Sequence, residues 1–219
     1  MAIDVREISR SFGRTPALDG VTLRVEEGER VALVGRNGAG KTTLLRVLAT
    51  VLPAESGVGT VSGFDLFADQ AAIRAITGYL PEGDPADHAL TAREWLRFRG
   101  RLRRMPRRRL RRRMHEVASF FGLAPLLGTR VGALSNGQRR AVAIAEALLD
   151  EPDVLLLDDP TAGADSEHSA RMAALLRSPE LSEGRVVVFA THDEALVRAA
   201  ATRVVRLERG RVVAEEPSS

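Results

Sequence analysis

The residues best suited to chemistry stand together in Gly35-Arg36-Asn37-Gly38-Ala39-Gly40-Lys41-Thr42-Thr43, which fits the phosphate-binding pattern G-x-x-x-x-G-K-[ST] at every fixed position. Gly35, Gly38 and Gly40 let the backbone turn tightly, so that several N–H groups point at one phosphate chain. A helix starting straight after the loop adds the partial positive charge of its N-terminus. Lys41 brings a full charge to the β- and γ-phosphates, and the Thr42 hydroxyl can ligate Mg²⁺. Lys41 is also the only lysine in the chain; every other basic position is arginine. A compact ammonium suits a spot where a planar guanidinium does not fit.

Three more side chains belong with this loop. Asp158 and Asp159 end the apolar run that begins at Val154, and His192 follows a second apolar run at 185–190. A carboxylate at such a strand end, here Asp158, can hold Mg²⁺ opposite Thr42. The next one, Asp159, sits where a general base orients water, and His192 can donate to a γ-phosphate. Each has a plainer reading: an Asp pair often only forms a turn, and a lone His is often structural. Their order behind a phosphate loop is what favours chemistry.

These groups need a scaffold that carries them to one edge. Residues 30–34 read as a short buried strand and 42–48 as a helix with one apolar face. Downstream, apolar strands alternate with helices at 166–177 and through Ala200, and a strand pair at 203–207 and 211–214 turns around Gly210. Continuous apolar strands alternating with helices predict a mostly parallel sheet covered on both faces. Ligands bind such sheets beyond the carboxyl ends of the strands, where Lys41, Asp158 and His192 fall. Upstream, alternation at 3–8 predicts an edge strand and 10–14 a turn-like stretch holding Phe12. A strand at 21–25 and a weak one at 60–62 come next, then a helix at 69–76 and a strand at 77–80. From Glu82 the pattern turns helical. Thr91 and Glu94 form a capping box, Pro106 stops that helix, and 107–121 carries Leu110, Met114, Val117 and Phe121 on one face before Gly122. A further helix is expected at 139–149. The reading is an α/β fold of P-loop NTPase type, with an N-terminal antiparallel β subdomain and a helical lobe inserted at about 82–150.

A chain of 219 residues, 44% apolar and 28% charged, suits one globular domain over 1–219. The absence of cysteine excludes a disulfide framework and a thiolate metal site, and is compatible with the cytoplasm. The first residues hold no signal-peptide core. No stretch approaches about 18 consecutive apolar residues, so any membrane-spanning part must come from another chain. Arginines crowd the helical lobe at 97, 99, 101, 103, 104, 107, 108, 109, 111, 112 and 113. Three readings stand for them: a solvated helix face, a patch meeting acidic lipid, and a nucleic-acid surface. The last is the weakest, because few aromatics are interleaved for stacking.

The motifs, in this order, resemble the nucleotide-binding subunits of ABC-type ATPases over nearly the whole chain. The likeness rests on Gly35 to Thr43 (Walker A), Leu134-Ser135-Asn136-Gly137-Gln138 (the family signature), Leu155 to Thr161 (Walker B and its two-residue extension), Ala162-Gly163-Ala164-Asp165 (the D-loop) and Thr191-His192-Asp193 (the switch histidine). The resemblance implies that Phe12 stacks on adenine and that MgATP is bound and hydrolysed. It implies a second ATP-binding domain paired head to tail, with Ser135, Asn136, Gly137, Gln138 and Asp165 completing the partner's site. It also implies an integral membrane permease subunit at the inner face of the membrane. Four positions depart from the family pattern: Asp159 for Glu, Glu82 for Gln in the Q-loop, Glu146 for Arg, and Ala164 for a larger apolar residue. Asp159 implies slow hydrolysis. Glu82 stands where the family uses the side chain for catalysis and the metal, and its Gly-Tyr-Leu-Pro-Glu context looks like an exporter branch with separate membrane subunits. The alternatives are a soluble nucleotide-gated clamp and a nucleic-acid-associated ATPase.

Overall fold

The computed structural model describes residues 2–163, 166–179 and 184–218. Ala164 and Asp165 lie outside the described residues. The strands, in chain order, are β1 (Ile3–Phe12), β2 (Thr15–Val25), β3 (Arg30–Val34), β4 (Ser56–Val61), β5 (Phe64–Asp65), β6 (Thr77–Leu80), β7 (Val154–Asp158), β8 (Val186–Ala190), β9 (Arg203–Glu208) and β10 (Arg211–Pro217). The helices are α1 (Lys41–Leu48), α2 (Gln70–Ile76), α3 (Ala92–Leu102), α4 (Arg107–Phe120), α5 (Asn136–Ala147), α6 (Ser166–Leu176) and α7 (Glu194–Ala200).

The main sheet has six strands in the order β10-β9-β3-β8-β7-β6. Neighbours from β9 to β6 pair in parallel, and β10 closes one edge antiparallel to β9. β7 and β8 are buried at every position, as continuous apolar runs must be when both faces are covered. Successive side chains point to opposite faces. Leu155, Leu157, Val187 and Phe189 therefore join Trp95, Leu96, Leu110 and Val142 in one apolar cluster. Leu156 and Val188 join Leu44, Leu45 and Leu48 of α1 and the β1–β2 side chains in the other. The lobe thus packs into the same core as one sheet face.

The smaller sheet runs β2-β1-β4-β5, all antiparallel. Two expectations are corrected here. β1 is not an edge strand, because β4 pairs along its far side. β4 hides from a pattern reading since Gly57 and Gly59 carry no side chain to alternate. β1 also runs on to Phe12, past register shifts after Val5, Ile8 and Arg10. Only Gly13 and Arg14 form the turn into β2.

The Thr91 cap forms as expected: Glu94 N donates to Thr91 Oγ1 (3.2 Å), and Thr91 N to the Glu94 carboxylate (2.9 Å). A second capping box went unread. Ser135 is the N-cap of α5, accepting from Gln138 N (3.2 Å) and donating from its own N–H to Gln138 Oε1 (3.0 Å). The helix therefore begins at Asn136 rather than 139. The pentapeptide is its first turn, and the S-x-x-Q spacing carried that signal.

Candidate functional site

β3 feeds the phosphate loop and α1 begins at its end, so the loop is fixed from both sides. Gly35 adopts φ 150°, and a Cβ there would lie 2.3 Å from the Leu207 carbonyl oxygen of β9. Gly40 caps α1 at φ 107°, and a Cβ there would lie 2.6 Å from the Ala17 oxygen of β2. No larger residue fits either place. The β9–β10 turn supports the loop as well, with Gly210 N donating to Ala39 O (3.0 Å).

Lys41 Nζ donates to Gly35 O (2.7 Å) and Arg36 O (3.1 Å), so the ammonium braces its own loop. Burial lowers its pKa, while the nearby charges of Asp158, Asp159 and Glu82 oppose that shift. Thr42 Oγ1 donates to Asp158 Oδ1 at 3.1 Å. The other Asp158 oxygen, Oδ2, is buried and accepts no hydrogen bond. Burial pushes the Asp158 carboxyl above its ordinary range; the Thr42 hydrogen bond pulls it down and Glu82 adds to the rise. An orphaned buried carboxylate oxygen beside a threonine hydroxyl suits a divalent cation, whose charge would reverse that shift. Among the described residues no cluster of three His, Asp or Glu side chains could hold a metal alone. A cation here would take Thr42, Asp158 and oxygens of a bound phosphate chain.

Asp159 follows β7 with φ 49°, a left-handed backbone uncommon outside glycine. The conformation is held: its N–H donates to Ala190 O (2.8 Å), and its carbonyl accepts from Ala162 N (3.1 Å). Thr191 Oγ1 stands 3.5 Å from Asp159 Oδ1, too far for a strong bond. His192 is exposed at the rim. It sits between Thr191, whose hydroxyl accepts from Asp193 N (3.0 Å), and Asp193, whose carboxylate caps α7 by accepting from Ala195 N and Leu196 N. The end of β8 and the start of α7 thus fix its backbone.

Phe12, Asn37, Gly38, Ala39, Gly40, Lys41, Thr42, Thr43, Glu82, Asp158, Asp159 and His192 line one cleft of about 270 Å³ at the carboxyl edge of the sheet. Gly35 and Arg36 are not among its walls. Phe12 is half exposed, and the Arg10 guanidinium lies over its ring, 5.5 Å from the centroid. Ser135, Asn136, Gly137 and Gln138 lie outside the cleft, at the head of α5.

Sequence reasoning missed Arg140. This buried side chain donates to the carbonyls of Pro81 (2.8 Å), Gly83 (2.7 Å), Asp158 and Asp159 (2.8 Å). One guanidinium from α5 therefore clamps the loop carrying Glu82 to the strand end carrying both aspartates. The acceptors are backbone atoms, which leave no mark in a sequence. Glu146, two turns further along α5, accepts from Trp95 Nε1 (2.7 Å) and pairs with Arg99 Nε (2.6 Å), joining α5 to α3. Burial raises its pKa, and Arg99 and Trp95 work against the rise.

A model of the ABC transporter family matches residues 18–162. The chain is 35% identical over 198 residues to the ABC transporter ATP-binding protein NatA of Bacillus subtilis, covering 90% of this chain and 80% of that one. It is 35% identical over 228 residues to the nickel import ATP-binding protein NikO of Rhodobacter capsulatus, covering 100% and 90%. Among solved structures it resembles the dimeric post-hydrolysis state of the ATP-binding cassette MJ0796 bound to ADP and Pi, with a TM-score of 0.85, 26% identity and 99% of both chains covered. With the phosphate loop, the paired aspartates and the histidine gathered at one sheet edge, the chain belongs to the ABC transporter family, as a nucleotide-binding subunit.

Proposed function

We propose that the chain is a single ABC ATP-binding domain that binds and hydrolyses MgATP, pairs with a second such domain, and drives a separate membrane permease from the inner, cytoplasmic face of the membrane. The observation that carries this reading is the orphaned Asp158 Oδ2 beside Thr42 and Lys41, with Asp159 and His192 at the rim of the same cleft. When bound, Mg²⁺ would neutralise phosphate charge and polarise the bond to be broken. Thr42 and Asp158 would hold it, with Glu82 at the margin. Lys41 and the N–H groups of Gly38 to Thr43 would hold the phosphates, and the exposed face of Phe12 would stack on adenine. Asp159 would orient the attacking water, and His192 would donate to the γ-phosphate. Ser135, Asn136, Gly137 and Gln138, with Asp165, would close the second chain's site, where the α5 N-terminus offers N–H groups to phosphate. Among the described residues no helix is long and apolar enough to cross a membrane, in keeping with a permease on another chain. Outward transport rests on the Glu82 context; the equal similarity to a nickel import protein weighs on the other side.

The test is His192→Ala in the purified chain. Turnover should fall far more than ATP affinity, since His192 is at the rim and reaches only the terminal phosphate. Joint collapse of ATP and ADP affinity would remove His192 from this role. Co-purification of a membrane protein with the tagged chain tests the permease.

A further inference from the structure

The arginines of the lobe divide into two sets. One set is engaged inside the molecule. Arg103 donates to Thr77 O (2.9 Å), Arg99 pairs with Glu146 (2.6 Å), and Arg109 pairs with Asp150 (3.3 Å) and Glu151 (3.1 Å). Arg113 pairs with Glu116 (2.6 Å) and donates to Leu148 O (3.0 Å). The other set faces a groove of about 650 Å³ between α3 and α4. Arg93, Arg97 and Arg101 line it from successive turns of α3, and Arg107, Arg111 and His115 from successive turns of α4. None of these five arginines makes a hydrogen bond or ion pair among the described residues. Glu94, the carboxylate that feels Arg97, is committed to the Thr91 cap.

The floor of the groove is apolar: Leu110, Met114 and Leu127. Beside it, on the solvent side of α3, Phe98 is 47% and Leu102 59% exposed. Five like charges around one groove, with no acid to neutralise them, favour an anionic occupant. Guanidinium forks match phosphate oxygens two at a time. A cationic rim, an apolar floor and protruding apolar side chains suit an anionic amphiphile at an interface. Nucleic acid fits less well. Stacking needs a row of free rings, and Trp95, the ring nearest Phe98, is 7% exposed.

We infer that the α3–α4 groove seats the phosphate of anionic phospholipid headgroups, with Phe98 and Leu102 reaching the acyl boundary, so that the lobe touches an acidic membrane surface directly. Contact of this kind needs no nucleotide and no second chain, so it stands or falls apart from the ATP site.

The experiment is sedimentation of the purified chain with vesicles of phosphatidylcholine alone and of phosphatidylcholine mixed with phosphatidylglycerol. Fluorescence of Trp95, the only tryptophan, gives a second readout on α3. Two triple variants remove equal charge: R97Q/R101Q/R111Q in the groove, and R104Q/R108Q/R112Q outside its walls. Each arginine near an acidic surface contributes about fivefold to binding, so the groove triple should lower vesicle affinity on the order of a hundredfold. The outer triple should lower it by about tenfold or less. F98S/L102S should weaken the binding that remains at high salt. Unchanged ATP affinity in all three variants verifies their folding. Equal losses in the two triples would show diffuse charge attraction and overturn the groove. So would absence of binding to the mixed vesicles, release by inorganic phosphate alone, or preferential competition by single-stranded RNA.

Discussion

The two charged regions of this molecule are built on opposite plans. At the carboxyl edge of the sheet, charges are buried and tied to backbone: Lys41 to Gly35 and Arg36, Arg140 to four carbonyls, Asp158 to Thr42. Between α3 and α4, the groove arginines are exposed and make no such bonds. Buried charges act through a low dielectric and hold one geometry, so they suit one ligand shape. Exposed charges are screened within about 10 Å at ordinary salt and adapt to many shapes. The edge should therefore tolerate salt but not substitution, and the groove substitution but not salt.

The largest effect that sharpens this contrast is on stability. Arg140→Gln strips donors from four carbonyls, and a buried group left unsatisfied costs about 1–3 kcal/mol. Allowing for relaxation, we expect a loss of roughly 3 kcal/mol or more in urea denaturation. Arg97→Gln, by contrast, should stay within about 0.5 kcal/mol of wild type. Arg140→Lys should recover only part of the loss, because an ammonium cannot span the set. Equal effects at Arg140 and Arg97 would erase the distinction between the regions.

Next in size is Lys41→Ala. Hydrogen bonds to charged groups contribute about 1.5–3 kcal/mol each, so MgATP affinity should fall at least about tenfold, and about a hundredfold or more if two such bonds to phosphate are lost. The fold should survive, since the side chain braces only Gly35 and Arg36. Isothermal titration at low and high salt should show the same deficit in both. A deficit that vanishes at high salt would make Lys41 a screened surface charge like those of the lobe. Lys41→Arg should not rescue, because the buried spot suits a compact cation.

Legibility in the sequence divides along the same line. The phosphate loop was legible because its chemistry is local: a strand, a turn and a helix start within a few residues. The end of β7 was legible because an apolar run closing on carboxylates has few other meanings. Arg140 was not, because its role lies in carbonyls up to 59 residues away. The arginine run looked uniform, since only tertiary packing separates Arg103, bonded to β6, from Arg101, one wall of the groove. β1 read as an edge strand because its second partner is rich in glycine. The Ser135–Gln138 cap was written in the sequence, but treating the pentapeptide as a label for a site masked its plain helix-start signal.

A third prediction concerns Asp159. Its carboxylate is one methylene shorter than the Glu of the resembled family, and a misplacement of about 1 Å in a catalytic group can cost on the order of 10²-fold in rate. Asp159→Glu should then raise steady-state ATPase activity, by up to that factor, with ATP affinity unchanged. The backbone at φ 49°, tied to Ala190, Ala162 and Arg140, would keep the longer side chain aimed from the same anchor. A fall in activity would mean that the edge is built around the shorter acid.

The smallest expected effect separates holding a charge from using it. Burial is the main reason that the Asp158 carboxyl is raised above its ordinary value. Between the unfolded and the raised folded value, the folded chain binds more protons than the unfolded chain. Stability of the nucleotide-free protein must therefore fall as pH rises through that window and level off above it. At neutral pH the ionised carboxylate is a liability, with Oδ2 buried and unpaired. Asp158→Asn removes the charge and the titration together. It should stabilise the nucleotide-free chain by about 1 kcal/mol at neutral pH, within the range of changes that relieve strained functional sites. It should also flatten the acidic limb of the stability curve. The same variant should lose most of the thermal stabilisation that MgATP gives the wild type, because that gain reflects binding to the folded state. Thermal melts with and without MgATP across the acid-to-neutral range read both effects. If Asp158→Asn instead destabilised the nucleotide-free chain at neutral pH, the carboxylate would be a structural anchor like Arg140, and the edge would lose its one charge kept for a ligand.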